Sequence, residues 1–263
     1  MNNNKKEDQK MIRYSAQTIS GNDISSVKKV LKSNNLTQGP KVPEFEKRIS
    51  KYTNSKFCLA FNSASSALLA ACAALKLKKK DYIWTSPNTY VATANAIVLN
   101  NYNIDFVDIN LNTYNICLDL LEEKLIKAKK KNKLPKAIII VYIGGLPSNP
   151  LRLKNLSIKF KFKIIEDASH AIGSKYFGKK VGSCYWSDIS IFSFHPVKII
   201  TTGEGGCITT NNKEYFEYMK MFRENGVQKN SKKFKLKSPG PWYYEQQTIG
   251  YNFRMNDIQA ALG

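Results

Sequence analysis

Three short stretches of this 263-residue chain hold residue types that could do chemistry together. Asn62-Ser63-Ala64-Ser65-Ser66 follows an apolar pentapeptide, Phe57 to Phe61, and opens an Ala- and Leu-rich run. Small hydroxyl residues there leave the first N–H groups of a helix open and add O–H donors, which makes an anion or phosphate cup. Ordinary serine N-capping is the competing explanation. Glu166-Asp167 closes a second apolar run and precedes Ala168-Ser169-His170. A carboxylate at the carboxyl end of a strand faces the crevice where open α/β sheets take ligands, although an aspartate there can also cap a helix. Ser193-Phe-His-Pro-Val-Lys198 follows a third apolar run. Lys198 lies between Val197 and Ile199-Ile200, and desolvation lowers an amine's pKa enough to make it a nucleophile for Schiff-base chemistry. A snorkelling surface lysine is the alternative, and with 41 Lys+Arg in the chain it wins on counting alone.

Each stretch is weak by itself. With Tyr90 in the next strand–helix loop, they match one requirement set. Pyridoxal phosphate (PLP) needs a phosphate site, a stacking face, a carboxylate for its ring nitrogen and a lysine amine. Other chemistries find no support. Gly173-Ser-Lys-Tyr-Phe-Gly178-Lys179-Lys180 imitates a P-loop, but Lys180 replaces the magnesium-binding hydroxyl and no helix pattern follows. No G-x-G-x-x-G, G-x-S-x-G or H-E-x-x-H occurs.

The elements that must position these residues alternate. Strands are expected at 57–61, 82–85, 104–107, 137–143, 162–165, 189–194 and 207–210. Helices are expected at 64–75, 90–99, 118–131, 151–160 and 212–224, and 43–52 with Pro43 at its start. Another helix starts at Ser20, three residues before Asp23, and a further one at Asn256, three before Gln259. Residues 171–182 read as a hairpin and 228–247 as a long loop. Repeated strand–helix units imply an α/β fold: a mostly parallel sheet with helices on both faces.

Composition narrows the class. The chain is 43% hydrophobic and has no apolar run of membrane-spanning length, so no membrane partner is expected. The charge is +21, yet only five of the 41 basic residues are arginine and the lysines are scattered. That is a poor signature for nucleic acid, whose binding would instead be salt-sensitive. Five cysteines without C-x-x-C spacing argue against disulfides and zinc and fit a reducing cytoplasm. With two histidines, no metal site is expected. Residues 1–11 are polar, show no signal peptide and read as a disordered extension, with Met11 an alternative start.

On Leu36-Thr-Gln-Gly-Pro40, Asn62-Ser-Ala-Ser-Ser-Ala67, Thr85 to Asn95, Glu166-Asp-Ala-Ser-His-Ala-Ile-Gly173, Phe192 to Gly206 and Gly250-Tyr-Asn-Phe-Arg-Met255, the chain resembles the DegT/DnrJ/StrS sugar aminotransferases. The resemblance implies an aspartate-aminotransferase-like large domain (PLP fold type I) over residues 12–263, stopping short of a small C-terminal domain. It implies Lys198 as the lysine that bonds PLP and shuttles a proton, and Asp167 as the partner of the ring nitrogen. Tyr90 would stack on the ring and His170 would sit near its hydroxyl. Ser63, Ala64 and Ser193 would contact the phosphate, and Asn252 the phosphate of the neighbouring subunit in a homodimer. Thr85-Ser-Pro, Phe194-His-Pro-Val-Lys198 and Ser238 to Glu245 resemble most the members of the pseudaminic acid route. These aminate C4 of a UDP-linked 4-keto-6-deoxy-N-acetylhexosamine with glutamate as donor. The alternative is a truncated, non-catalytic chain that binds PLP or a partner.

Overall fold

Apolar segments too uniform to alternate must be buried on both faces. Ala137–Val141 is such a segment and lies inside a seven-stranded sheet, with strands on both sides. The computed structural model describes residues 15–263; the expected extension at 1–11 and the question of Met11 lie outside the described residues. The strands are β1 (Phe57–Phe61), β2 (Tyr82–Thr85), β3 (Asn103–Phe106), β4 (Ala137–Val141), β5 (Lys163–Asp167), β6 (Ile189–Ser193) and β7 (Gly206–Thr210). Their order is β1-β7-β6-β5-β4-β2-β3. β3, β2, β4, β5 and β6 pair in parallel, while β7 runs antiparallel to both β6 and β1. The expected mostly parallel sheet is present.

Helices cover both faces. They are α1 (Gly21–Leu31), α2 (Lys41–Thr53), α3 (Ala64–Ala74), α4 (Val91–Leu99), α5 (Leu118–Lys130), α6 (Pro150–Phe160), α7 (Lys213–Arg223) and α8 (Asp257–Leu262). One core holds Phe45 of α2, Leu121 and Leu125 of α5, and Leu153 and Leu156 of α6. The opposite core holds Ala67, Ala70 and Ala71 of α3, Ile97 of α4 and Met219 of α7. Burial makes α3 apolar on nearly every side, as a helix enclosed by sheet and neighbouring helices should be.

Local signals explain most boundaries. Ser20 and Asp23 close a full capping box on α1, as do Asn256 and Gln259 on α8. Helix α2 begins two residues before Pro43. Its N-cap, Pro40, makes no side-chain cap, and the buried Asp257 carboxylate accepts from the N–H groups of Gly39 and Lys41, each at 2.8 Å. That cap comes from 216 residues away, so no local pattern could announce it. β4 stops at Val141 rather than Ile143, because Ile143–Gly145 turns into a short 3₁₀ segment with Gly144 at positive φ. The loop expected at 228–247 holds a short antiparallel pairing of Val227–Gln228 with Glu245–Gln246 near its two ends.

Candidate active site

The loops leaving β1, β2, β4, β5 and β6 meet at the carboxyl edge of the sheet, where open α/β sheets bind ligands. They enclose a cavity of about 650 Å³, within the range of small-molecule sites. Seven of the eight residues singled out from the sequence line it: Ser63, Ala64, Tyr90, Asp167, His170, Ser193 and Lys198. Asn252 does not. It is exposed, on the segment leading into α8, where it pairs through its backbone with Glu224.

The cup is a helix start. Ser63 caps α3, its Oγ accepting from Ser66 N–H at 3.2 Å, while Ser66 Oγ donates to Asn62 Oδ1 at 2.6 Å. Capping and anion binding are therefore not exclusive. The Ser63 cap uses the N–H of the third helical residue, and those of Ala64 and Ser65 have no intrahelical acceptor to reach. Gly206, the first residue of β7, lies against this turn. A Cβ at Gly206 would stand 2.5 Å from Ala64 N, so any side chain there would push β7 off the cup.

Asp167 ends β5 and is buried. Thr93 Oγ1 of α4 donates to its Oδ2 at 2.7 Å, and Ser169 Oγ donates to its Oδ1 at 2.6 Å. Both donors fix the orientation of the carboxylate. Sequence reading missed this role of Thr93. The available signal was a hydroxyl one turn past Tyr90 on a mostly apolar helix. Tyr90 itself is the N-cap of α4 and is 76% exposed, so its ring face is free toward the cavity it lines.

Lys198 is half-buried, and desolvation lowers its pKa while Asp167 opposes that shift. Of its apolar sequence neighbours, Ile199 is exposed, whereas Val197 is itself part of the cavity wall and Ile200 is partly buried against the core. Lys198 Nζ lies 2.7 Å from His170 Nε2. Burial first, and the lysine's charge second, hold the His170 pKa below its usual value. Counting now favours function. Of 41 basic side chains, Lys198 is the lone lysine or arginine lining this cavity among the described residues. His195 and Glu204 complete the same side, with His195 Nε2 at 4.0 Å from Glu204 Oε1.

Comparison with known proteins agrees with this arrangement. A UDP-4-amino-4,6-dideoxy-N-acetyl-beta-L-altrosamine transaminase of Campylobacter jejuni is 42% identical over 253 residues, 96% of this chain and 63% of its own. The structure of Helicobacter pylori PseC, an aminotransferase involved in the biosynthesis of pseudoaminic acid, superposes with a TM-score of 0.86 at 36% identity. It covers 96% of this chain and 64% of that one. Spr1654 of Streptococcus pneumoniae in its PLP form gives 0.81 at 29% identity, covering 96% and 65%. The chain thus spans under two thirds of the length of these relatives. The architecture is that of the fold-type I aminotransferases. The sequence pattern of one family matches residues 17–263, nearly everything described, and the chain belongs to that family, the DegT/DnrJ/EryC1/StrS aminotransferases.

Proposed function

We propose that residues 12–263 form the cofactor-holding large domain of a PLP-dependent sugar aminotransferase. The observation that carries this is one cavity lined by a buried carboxylate with three hydrogen-bond donors, a partly desolvated lysine and an open helix start. The donor set fits PLP. Bound there, the cofactor supplies an electrophilic carbon and a ring that withdraws electrons from it. Asp167, held in place by Thr93 and Ser169, would be the carboxylate partner of the ring nitrogen. The N–H groups of Ala64 and Ser65, with the hydroxyls of Ser63 and Ser193, face the phosphate. Tyr90 offers its exposed ring to the face of the cofactor. Lys198 supplies the amine that bonds the cofactor and, once free, holds or moves the proton at the reacting carbon.

The substrate reading rests on the relatives. Amino transfer at C4 of a UDP-linked 4-keto-6-deoxy-N-acetylhexosamine accords with the name of the Campylobacter jejuni protein, and glutamate is the donor we propose for it. A +21 chain suits acidic substrates of this kind. A homodimer accords with Asn252 being exposed outside its own cavity and with the exposed apolar Val91 and Leu99 beside the cup. A cytoplasmic location accords with five free thiols. No described helix is long and apolar enough to cross a membrane.

The test is transfer of label from ¹⁵N-glutamate to the keto-sugar, followed by the mass of the nucleotide-sugar product. Formation of the labelled 4-amino sugar, absent with K198A, supports the reading. PLP capture by Lys198 without any amino sugar favours the non-catalytic alternative.

A further inference from the structure

Two basic nitrogens 2.7 Å apart cannot both carry a proton's charge without strong repulsion. Lys198 Nζ and His170 Nε2 are at that distance, both half-buried in the cavity. An ammonium has donors and no acceptor, so at this contact the imidazole Nε2 must accept, and the imidazole proton sits on Nδ1. The alternative is a neutral amine facing an imidazolium. His170 is the weaker base by nature, so the shared proton belongs to the lysine. We propose that His170 is a positioning residue for the free form of Lys198. Its neutral Nε2 accepts one hydrogen bond from the ammonium and holds Nζ beside Asp167 whenever the lysine is not bonded to a cofactor.

The other charged and titratable groups facing the pair leave His170 as the sole neutral acceptor of this kind. Asp167 faces it from the end of β5, where Oδ1 accepts from both the hydroxyl and the N–H of Ser169 and Oδ2 accepts from Thr93 with one lone pair left over. Tyr142 faces from the end of β4 and donates to Glu166, and Tyr90 faces from the start of α4. From the loop after β6 come His195, whose Nδ1 accepts from Val197 N–H, and Glu204, 63% exposed at its side chain. No second lysine or arginine of the described residues lines the cavity to compete for the imidazole.

The role rests on the aminotransferase reading for its use, since a lysine that leaves and rejoins a cofactor needs a defined resting place. Its test does not need the cofactor. The cofactor-free chain is labelled with trace acetic anhydride over a pH series, and the extent at Lys198 is read by peptide mass. Exposed lysines such as Lys127 serve as internal standards for the reagent, and the urea unfolding midpoint of each variant checks that it is folded. The unmodified chain is expected to give a Lys198 midpoint below that of Lys127. H170L removes the acceptor and destabilises the ammonium, so the midpoint falls further, by about one pH unit. H170Q places a carbonyl oxygen there as acceptor and restores the midpoint to within a few tenths, roughly the error of such profiles. A midpoint that stays put or rises in H170L overturns the proposal, because the imidazole then repels or ignores the lysine. Failure of H170Q to restore it overturns the acceptor role as well. PLP capture is scored separately by borohydride reduction, so loss of the cofactor reading leaves this result standing or falling by itself.

Discussion

Glu166 and Asp167 are adjacent, both carboxylates and both buried, yet the pleat of β5 sends them to opposite faces of the sheet. Asp167 points toward α4, where the Thr93 hydroxyl donates to it; Ser169 donates from the loop after β5, and a lysine shares the cavity. Glu166 points into the other core. Tyr142 Oη donates to its Oε1 at 3.0 Å, and Oε2 has no partner among the described residues. Burial pushes the Glu166 carboxyl above its ordinary 4.5 and also raises Tyr142 well above its usual value. The orphaned atoms of Trp186, Ser187 and Ser190 are buried in the same part of the chain. One residue of the pair is held by hydroxyl donors at the wall of the ligand cavity, while the other lies in a small polar pocket where burial disfavours its charged form. Residue type and burial alone do not separate such a pair. The donors around each oxygen do.

Four substitutions sharpen or break this contrast. The largest effect is expected from D167N. It keeps the size of the side chain and removes the charge, so amino transfer falls by at least about 10²-fold with the fold intact. E166Q should change the same rate less than about threefold, since it leaves the cavity wall untouched. Equal losses in the two variants, measured as kcat/KM, would remove the distinction. T93V comes next. It deletes a 2.7 Å donor to a buried carboxylate and should lower stability by about 1.5–3 kcal/mol, read from the urea midpoint at constant slope.

The pH response separates the two acids further. The folded pKa of Glu166 lies above its unfolded value. Its favourable contribution is therefore complete below the unfolded pKa and is lost as pH rises toward the folded one. E166Q should gain in melting temperature relative to the parent chain as pH rises above about 4.5, with a constant difference below that. A difference that instead narrows with rising pH would mean the carboxylate is stabilised charged. Y142F is expected to have the smallest effect, roughly 1–2 kcal/mol, because one donor to Glu166 is lost while the ring still fills its place. An effect larger than that of T93V would reverse the ranking of the two sites.

Much of this arrangement was legible in the sequence. Uniform apolar runs flanked by polar turns mark the strands, and the capping boxes at Ser20 and Asn256 mark helix starts. Seven cavity residues were found because they lie at helix starts (Ser63, Ala64, Tyr90), at strand ends (Asp167, Ser193) or in the loops that follow them (His170, Lys198), the place of His170 coming from the family resemblance. What stayed hidden was long-range. Asp257 caps α2 from the far end of the chain, and Thr93 meets Asp167 across 74 positions. Of the apolar neighbours that drew attention to Lys198, Val197 lines the cavity and Ile200 packs on the core, while Ile199 is exposed. The hydrogen bond to His170 also depends on the meeting of two loops.

The central claim is that Lys198, alone among many lysines, is the amine that PLP finds. The direct test is to add PLP to the purified chain, reduce with borohydride and map the modified lysine by peptide mass, with K198A beside it. The account predicts one label, on Lys198, and none at that peptide in the variant. Label spread over the exposed lysines, or the same labelling in K198A, would contradict it.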